Sequence, residues 1–137
     1  MQFDYAILAE YCGFADDGRL NVAGAHNVLS FNSLPGVVPR AYLAVRLTLD
    51  AGDRNRDLTF ELSATRQGAE GVLSIHKGTA HIGDIPDGAV GWVHHIARLE
   101  GIRFEAAGLY VLMVAVNGAK VHEIRLPVGL IPKPDSK

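Results

Sequence analysis

Six histidines, one cysteine and a scatter of carboxylates are the side chains in this sequence that could do chemistry. The histidines are His26, His76, His81, His94, His95 and His122. A zinc ion asks for three or four ligands converging on one point. On an extended chain His94 and His95 point to opposite faces, and His76 and His81 differ in parity, so neither pair converges. No H-x-H pair, H-E-x-x-H or C-x-x-C is present, and these residues predict no metal site and no cofactor. Asp4 and Glu10 share a strand face but stand roughly 20 Å apart at about 3.3 Å per residue. Carboxylates that work as a glycosidase pair lie within about 10 Å. Asp16-Asp17 precedes Gly18 and reads as a turn. Cys12 sits inside an apolar run, where a packed, inert thiol is the common case. There is no G-x-S-x-G elbow, P-loop or G-x-G-x-x-G. The chemistry-bearing residues therefore describe a chain without catalysis.

What must position these side chains is a single domain. The 137 residues fit one core, expected over residues 1–131, with a short C-terminal tail at 132–137. A net charge of -2 with interspersed signs leaves no electrostatic footprint for nucleic acid. One cysteine allows no intrachain disulfide, which suits a reducing compartment. The first residues lack the basic start of a signal peptide, and no apolar run reaches membrane-spanning length. The expectation is a cytoplasmic protein with no membrane partner.

Period-2 alternation dominates the chain. Ala41, Leu43, Val45, Leu47 and Leu49 alternate with polar residues from Arg46 onward, and Leu58, Phe60, Leu62 and Ala64 alternate with Asp57 to Thr65. Both runs read as strands with one face in a core, and the A-G-D-R-N-R between them predicts a hairpin. Asn117-Gly118 between two β-branched runs predicts a second hairpin with a type I′ turn. Pro127 places its strand at an edge or turns its N–H side outward. Residues 3–14 and 19–31 predict a first hairpin, with a helix as the alternative for 4–12. Gly24 is a candidate bulge that resets the parity of the second run. Residues 71–82 and 90–99 add two strands, and 34–40 and 85–89 read as loops. About eight strands and no convincing helix predict an antiparallel two-sheet β-sandwich of immunoglobulin-like type. Tyr110 stands where such sandwiches carry a tyrosine corner.

Two strips of this expected sandwich bear on function. In 109–116, Tyr110, Leu112, Val114 and Val116 form one apolar face, while Leu109, Val111, Met113 and Ala115 form another. A sheet of a two-layer sandwich has only one face toward the core, so the second set must be covered or exposed. Val111, Met113 and Ala115, with Tyr5 and Tyr11 of the first strand, are the candidate interface for a homo-oligomer or a protein partner. Trp92, His94 and Arg98 share a face of 90–99 and form a candidate ligand strip. The competing and favoured reading makes Trp92 the core tryptophan of the sandwich.

D-Y-A-I-L-A-E-Y, G-R-L-N-V-A-G-A and G-L-Y-V-L-M-V-A-V-N-G, taken together, resemble a family of small bacterial proteins without an assigned activity. The resemblance implies a compact β-sandwich of bacterial origin and carries over no catalytic residue. The expected function is a non-catalytic interaction or assembly module. The alternative is a sandwich that binds a small ligand: a sugar, a lipid or a nucleotide signal.

Overall fold

The computed structural model describes residues 1–132 of the chain. Nine strands follow one another: β1 (Gln2–Phe14), β2 (Leu20–Ala25), β3 (Leu29–Phe31), β4 (Gly36–Leu49), β5 (Arg56–Arg66), β6 (Leu73–Ile82), β7 (Gly91–Phe104), β8 (Gly108–Val116) and β9 (Ala119–Leu130). They build two sheets, ordered β2-β1-β4-β7 and β3-β9-β8-β5-β6. The pairing of β4 with β7, facing β9, β8 and β5, has the order of strands B and E against G, F and C in an immunoglobulin-like sandwich. Tyr110 at the start of β8 donates its hydroxyl proton to the Ala106 carbonyl at 2.9 Å, the tyrosine corner expected there.

Alternation put the right residues inside. Leu43, Val45 and Leu47 of β4 meet Leu58, Phe60 and Leu62 of β5 and Leu112, Val114 and Val116 of β8 in one core. The hairpin expected between β4 and β5 does not form, because the two strands lie in different sheets. Both point apolar faces at the same core from opposite sides, and alternation reads identically for a hairpin and for a sheet-to-sheet crossing. The crossing is a single 3-10 turn, Ala51–Asp53, closed by reciprocal side-chain bonds of Asp50 and Asp53. Asn55 follows with φ +54.

The β8–β9 hairpin forms as expected, with φ of 50° at Asn117 and 81° at Gly118, the positive pair a type I′ turn requires. β3 pairs only with Val128 to Leu130 of β9, which leaves Pro127 on an open edge. That β3–β9 pairing is parallel, the one departure from an antiparallel sandwich among the described residues. The run 19–31 is two strands rather than one. Gly24 has φ +67, yet the β1–β2 register is the same on both sides of it, so it resets nothing. Parity slips because the chain leaves β2 after Ala25 and joins the other sheet as β3. Residues 36–40, read as loop, open β4, and Pro39 lies beyond Tyr42, the last β4 residue that β1 pairs. The expected C-terminal tail falls mostly on residues 133–137, outside the described residues.

Candidate functional site

The site is built on the outer face of the four-stranded sheet. Registers Tyr5↔Arg46 and Arg46↔His94 set these three residues side by side in one row across β1, β4 and β7. A β-bulge between Phe3 and Tyr5 lets Phe3 point into the core while Asp4 and Tyr5 both reach the outer face. The Tyr5 hydroxyl passes over β4 to His94, 2.6 Å from Nε2. Asp4 accepts a hydrogen bond from the Thr48 hydroxyl at 2.7 Å and stands 3.4 Å from Arg46 Nε, in a contact too poorly aligned to be a hydrogen bond. The Arg46 guanidinium lies 5.9 Å from the centre of the Trp92 ring, within cation–π range.

The β1–β2 hairpin closes the site from above. β1 pairs with β4 only as far as Ala9↔Tyr42, and its next two residues, Glu10 and Tyr11, are both exposed. That double step reverses the strand's parity and turns the hairpin over the sheet. Cys12 then packs with Ala9 and Ala44 in a small second core, joined by Ile7, Leu20, Tyr42 and Ile96. Leu20 of β2 thus shares a cluster with Ile96 of β7, two strands beyond β1. Burial pushes the Cys12 thiol above its usual range. At the hairpin's end, Phe14 meets His94 edge-on, ring centres 5.4 Å apart, and Trp92 also meets it edge-on, at 5.3 Å.

His94 is therefore boxed by Tyr5, Phe14, Trp92 and Arg46. Burial, reinforced by the Arg46 charge and opposed by Asp4, holds its imidazole below the usual histidine range. Its Nδ1 and Arg46 Nε are both buried without a hydrogen-bond partner. Between the hairpin and β7 runs a groove of about 380 Å³ lined by Tyr5, Arg19, Leu20, Arg46, Trp92 and His94, with Gly18 at its lip.

Trp92 is 58% exposed, which corrects its reading as the core tryptophan. Register decides this: Val93, His95, Ala97 and Leu99 face the sandwich interior, and Trp92 has the opposite parity. Arg98 shares the outer face but pairs with Glu100 at 2.8 Å and does not line the groove. Arg46, Phe14, Arg19 and Leu20 do border the site, though the sequence did not single them out. Arg46 was visible as the polar member of an alternating run. The other three come from the folded-over hairpin, which no local pattern announces.

The candidate interface residues are placed differently. Tyr5 is engaged with His94, and Tyr11 leans edge-on against Tyr42 at 5.5 Å. Val111, Met113 and Ala115 are half-buried on the outer face of β8. Their lateral neighbours are Thr65, Ser63 and Glu61 on β5 and Arg125, Glu123 and Lys120 on β9. The apolar row is one strand wide between two polar ones.

Among the described residues no three metal-ligating side chains converge. His76 of β6 and His95 of β7 do meet across the gap between the sheets, Nε2 to Nε2, at 3.0 Å. His95 stacks flat on Phe60, ring centres 4.4 Å apart. Burial lowers both imidazoles from the usual range, and His76 lowers His95 further.

Residues 4–129 match the model of a family described as a family of unknown function, DUF6941. The chain belongs to that family. No curated protein matches the chain. The match covers both sheets and the whole groove, so sandwich, folded-over hairpin and Trp92 strand all lie within the family's span. No helix among the described residues is long and apolar enough to cross a membrane.

Proposed function

We propose that this protein is a non-catalytic recognition module that takes its ligand or partner on the outer face of the four-stranded sheet, in the groove beside Trp92. The carrying observation is an exposed tryptophan standing beside the row of Tyr5, Arg46 and His94, walled by the chain's own hairpin. Tryptophan and arginine are the residues most enriched where binding energy concentrates. The groove lacks a serine, cysteine or carboxylate among its lining side chains, which supports binding over group transfer. A single cysteine, Cys12, buried and without a disulfide partner, supports a cytoplasmic setting. Thermal-shift screening of sugars, nucleotides, lipids and organic acids tests the reading. A compound that stabilises the native chain and fails on Trp92→Ala supports it, and equal stabilisation of both chains counts against it.

A second reading is self-association across β8, favoured by the half-exposed row Leu109, Val111, Met113 and Ala115. Its polar borders leave little contiguous apolar area, and stable interfaces bury about 800 Å² per partner. A particle of one chain's mass in light scattering would remove it.

A further inference from the structure

We propose that the Trp92 groove binds a small organic anion, its carboxylate or phosphate held by Arg46 and its flat apolar body laid along Trp92. This rests on the recognition reading above and names the chemistry of the occupant.

Charge decides the class. The side chains lining the groove include two guanidiniums and an imidazole and no carboxylate. Asp4, the acid nearest Arg46, accepts its hydrogen bond from the Thr48 hydroxyl and meets the guanidinium as an ion pair 3.4 Å from Nε, without a hydrogen bond to it. Arg19 is paired with Asp17 on an exposed turn, a pairing of little worth in water. Arg46 thus keeps a planar fork of donors that matches a carboxylate or phosphate.

Hydrogen-bond supply points the same way. Arg46 Nε and His94 Nδ1 both lack partners. Arginine can only donate. Tyr5 and His94 Nε2 share one hydrogen bond, which leaves Nδ1 free to donate in the tautomer where the Tyr5 hydroxyl is the donor. A site with surplus donors is complementary to a ligand made of acceptors. A sugar would also bring hydroxyl donors, and the groove offers no carboxylate to receive them. A volume of about 380 Å³ lies within the range of small-molecule sites, and the exposed indole supplies a surface for a ring.

Trp92 is the only tryptophan in the chain, so fluorescence excited at the red edge of the indole band, where tyrosine does not absorb, reports on this groove alone. The probes are phenyl phosphate, benzoate, inorganic phosphate and neutral benzamide, titrated into the full chain. Saturable change with phenyl phosphate or benzoate is expected, with benzamide at least about tenfold weaker, the worth of one charge-assisted hydrogen bond. Whichever of the two anions binds tighter identifies the headgroup. Arg46→Gln should remove that preference, and Arg46→Lys, which keeps the charge and loses the fork, should retain part of it. Circular dichroism confirms that the variants are folded. Benzamide binding as tightly as both anions, unaltered by Arg46→Gln, would overturn the anion assignment and leave the groove as a recognition site. Inorganic phosphate binding as well as phenyl phosphate would overturn the role of the indole. No response to any ring compound would overturn both this inference and the reading beneath it.

Discussion

The hydroxyl of Tyr5 and Nε2 of His94 stand 2.6 Å apart although β4, which belongs to neither, runs between their strands. Neighbouring strands are about 4.8 Å apart, so Tyr5 must lie down across Arg46 to make this bond. That ties β1 to the edge strand β7 over the outer face and fixes one wall of the groove. Tyr5→Phe keeps the ring and deletes the bond. It also leaves a second His94 nitrogen unpartnered beside the orphaned Nδ1. A loss of about 1–2 kcal/mol is expected, read as a lower urea midpoint with an unchanged slope.

Acid should weaken the seam between the sheets. His76 and His95 both titrate below the usual histidine range in the folded chain. The unfolded chain therefore binds protons first as pH falls. Their contribution is fully present above the unfolded histidine value of about 6.5 and is lost as pH drops through the lower folded values. Urea midpoints measured from pH 8 down to pH 5 should fall, and His76→Gln should flatten that part of the profile.

Gly78 has a steric reason to be glycine. A Cβ there would sit 2.8 Å from His76 Nε2 and 3.0 Å from the His95 ring. The two rings are held by their mutual bond and His95 also by its stacking on Phe60, which restricts how far they can swing away. Gly78→Ala should cost about 1–3 kcal/mol, the usual range for overpacking, measured by thermal unfolding. The same variant should blunt the pH dependence of the seam.

Cys12 reports on the folded-over hairpin. It is 2% exposed and its thiol is held protonated by burial, while the thiolate is the reactive form. Native protein should react with a disulfide reagent far more slowly than urea-unfolded protein. Phe14→Ala, which frees the hairpin's end from His94, should accelerate labelling without unfolding the sandwich.

Adjacent residues of β8 should respond oppositely to charge. Val114 is fully buried and Met113 lies on the outer face beside Ser63 and Glu123. Val114→Asp buries an unpaired carboxylate and should prevent folding, whereas Met113→Asp should fold normally. Size-exclusion chromatography of the Met113 variant also tests the second reading: an unchanged particle removes β8 as a self-association face.

The sandwich was legible because its inner faces alternate without interruption. Leu58 to Ala64 and Tyr110 to Val116 could be placed in the core from parity alone, and Asn117-Gly118 fixed its own turn. Parity does not say which strand sits beside which, so β4 and β5 read as a hairpin although they lie in different sheets. The outer face was less legible for the same reason. Trp92, His94 and Arg98 share a face by parity, but whether Trp92 points inward depends on which face of β7 meets the core. Arg46 joined the site through register with Tyr5 and His94, a contact spanning nearly ninety residues of sequence in the Tyr5–His94 bond. Phe14 and Leu20 joined through a parity reversal at Glu10 and Tyr11, which looks in sequence like ordinary strand. On the apolar first strand Ile7, Ala9 and Cys12 pack with Leu20 of the chain's own hairpin, while Tyr11 and Phe14 stay half exposed.

The central claim is that recognition happens on the Trp92 face. A fragment library screened against uniformly nitrogen-15-labelled protein tests it most directly, since one indole N–H resonance marks the only tryptophan. The expected result is that shift changes cluster on the Trp92 indole, Leu20 and Arg46, with the β8 amides unmoved. Fragments that leave the Trp92 indole in place while shifting Val111 and Met113, or any other face, would contradict it.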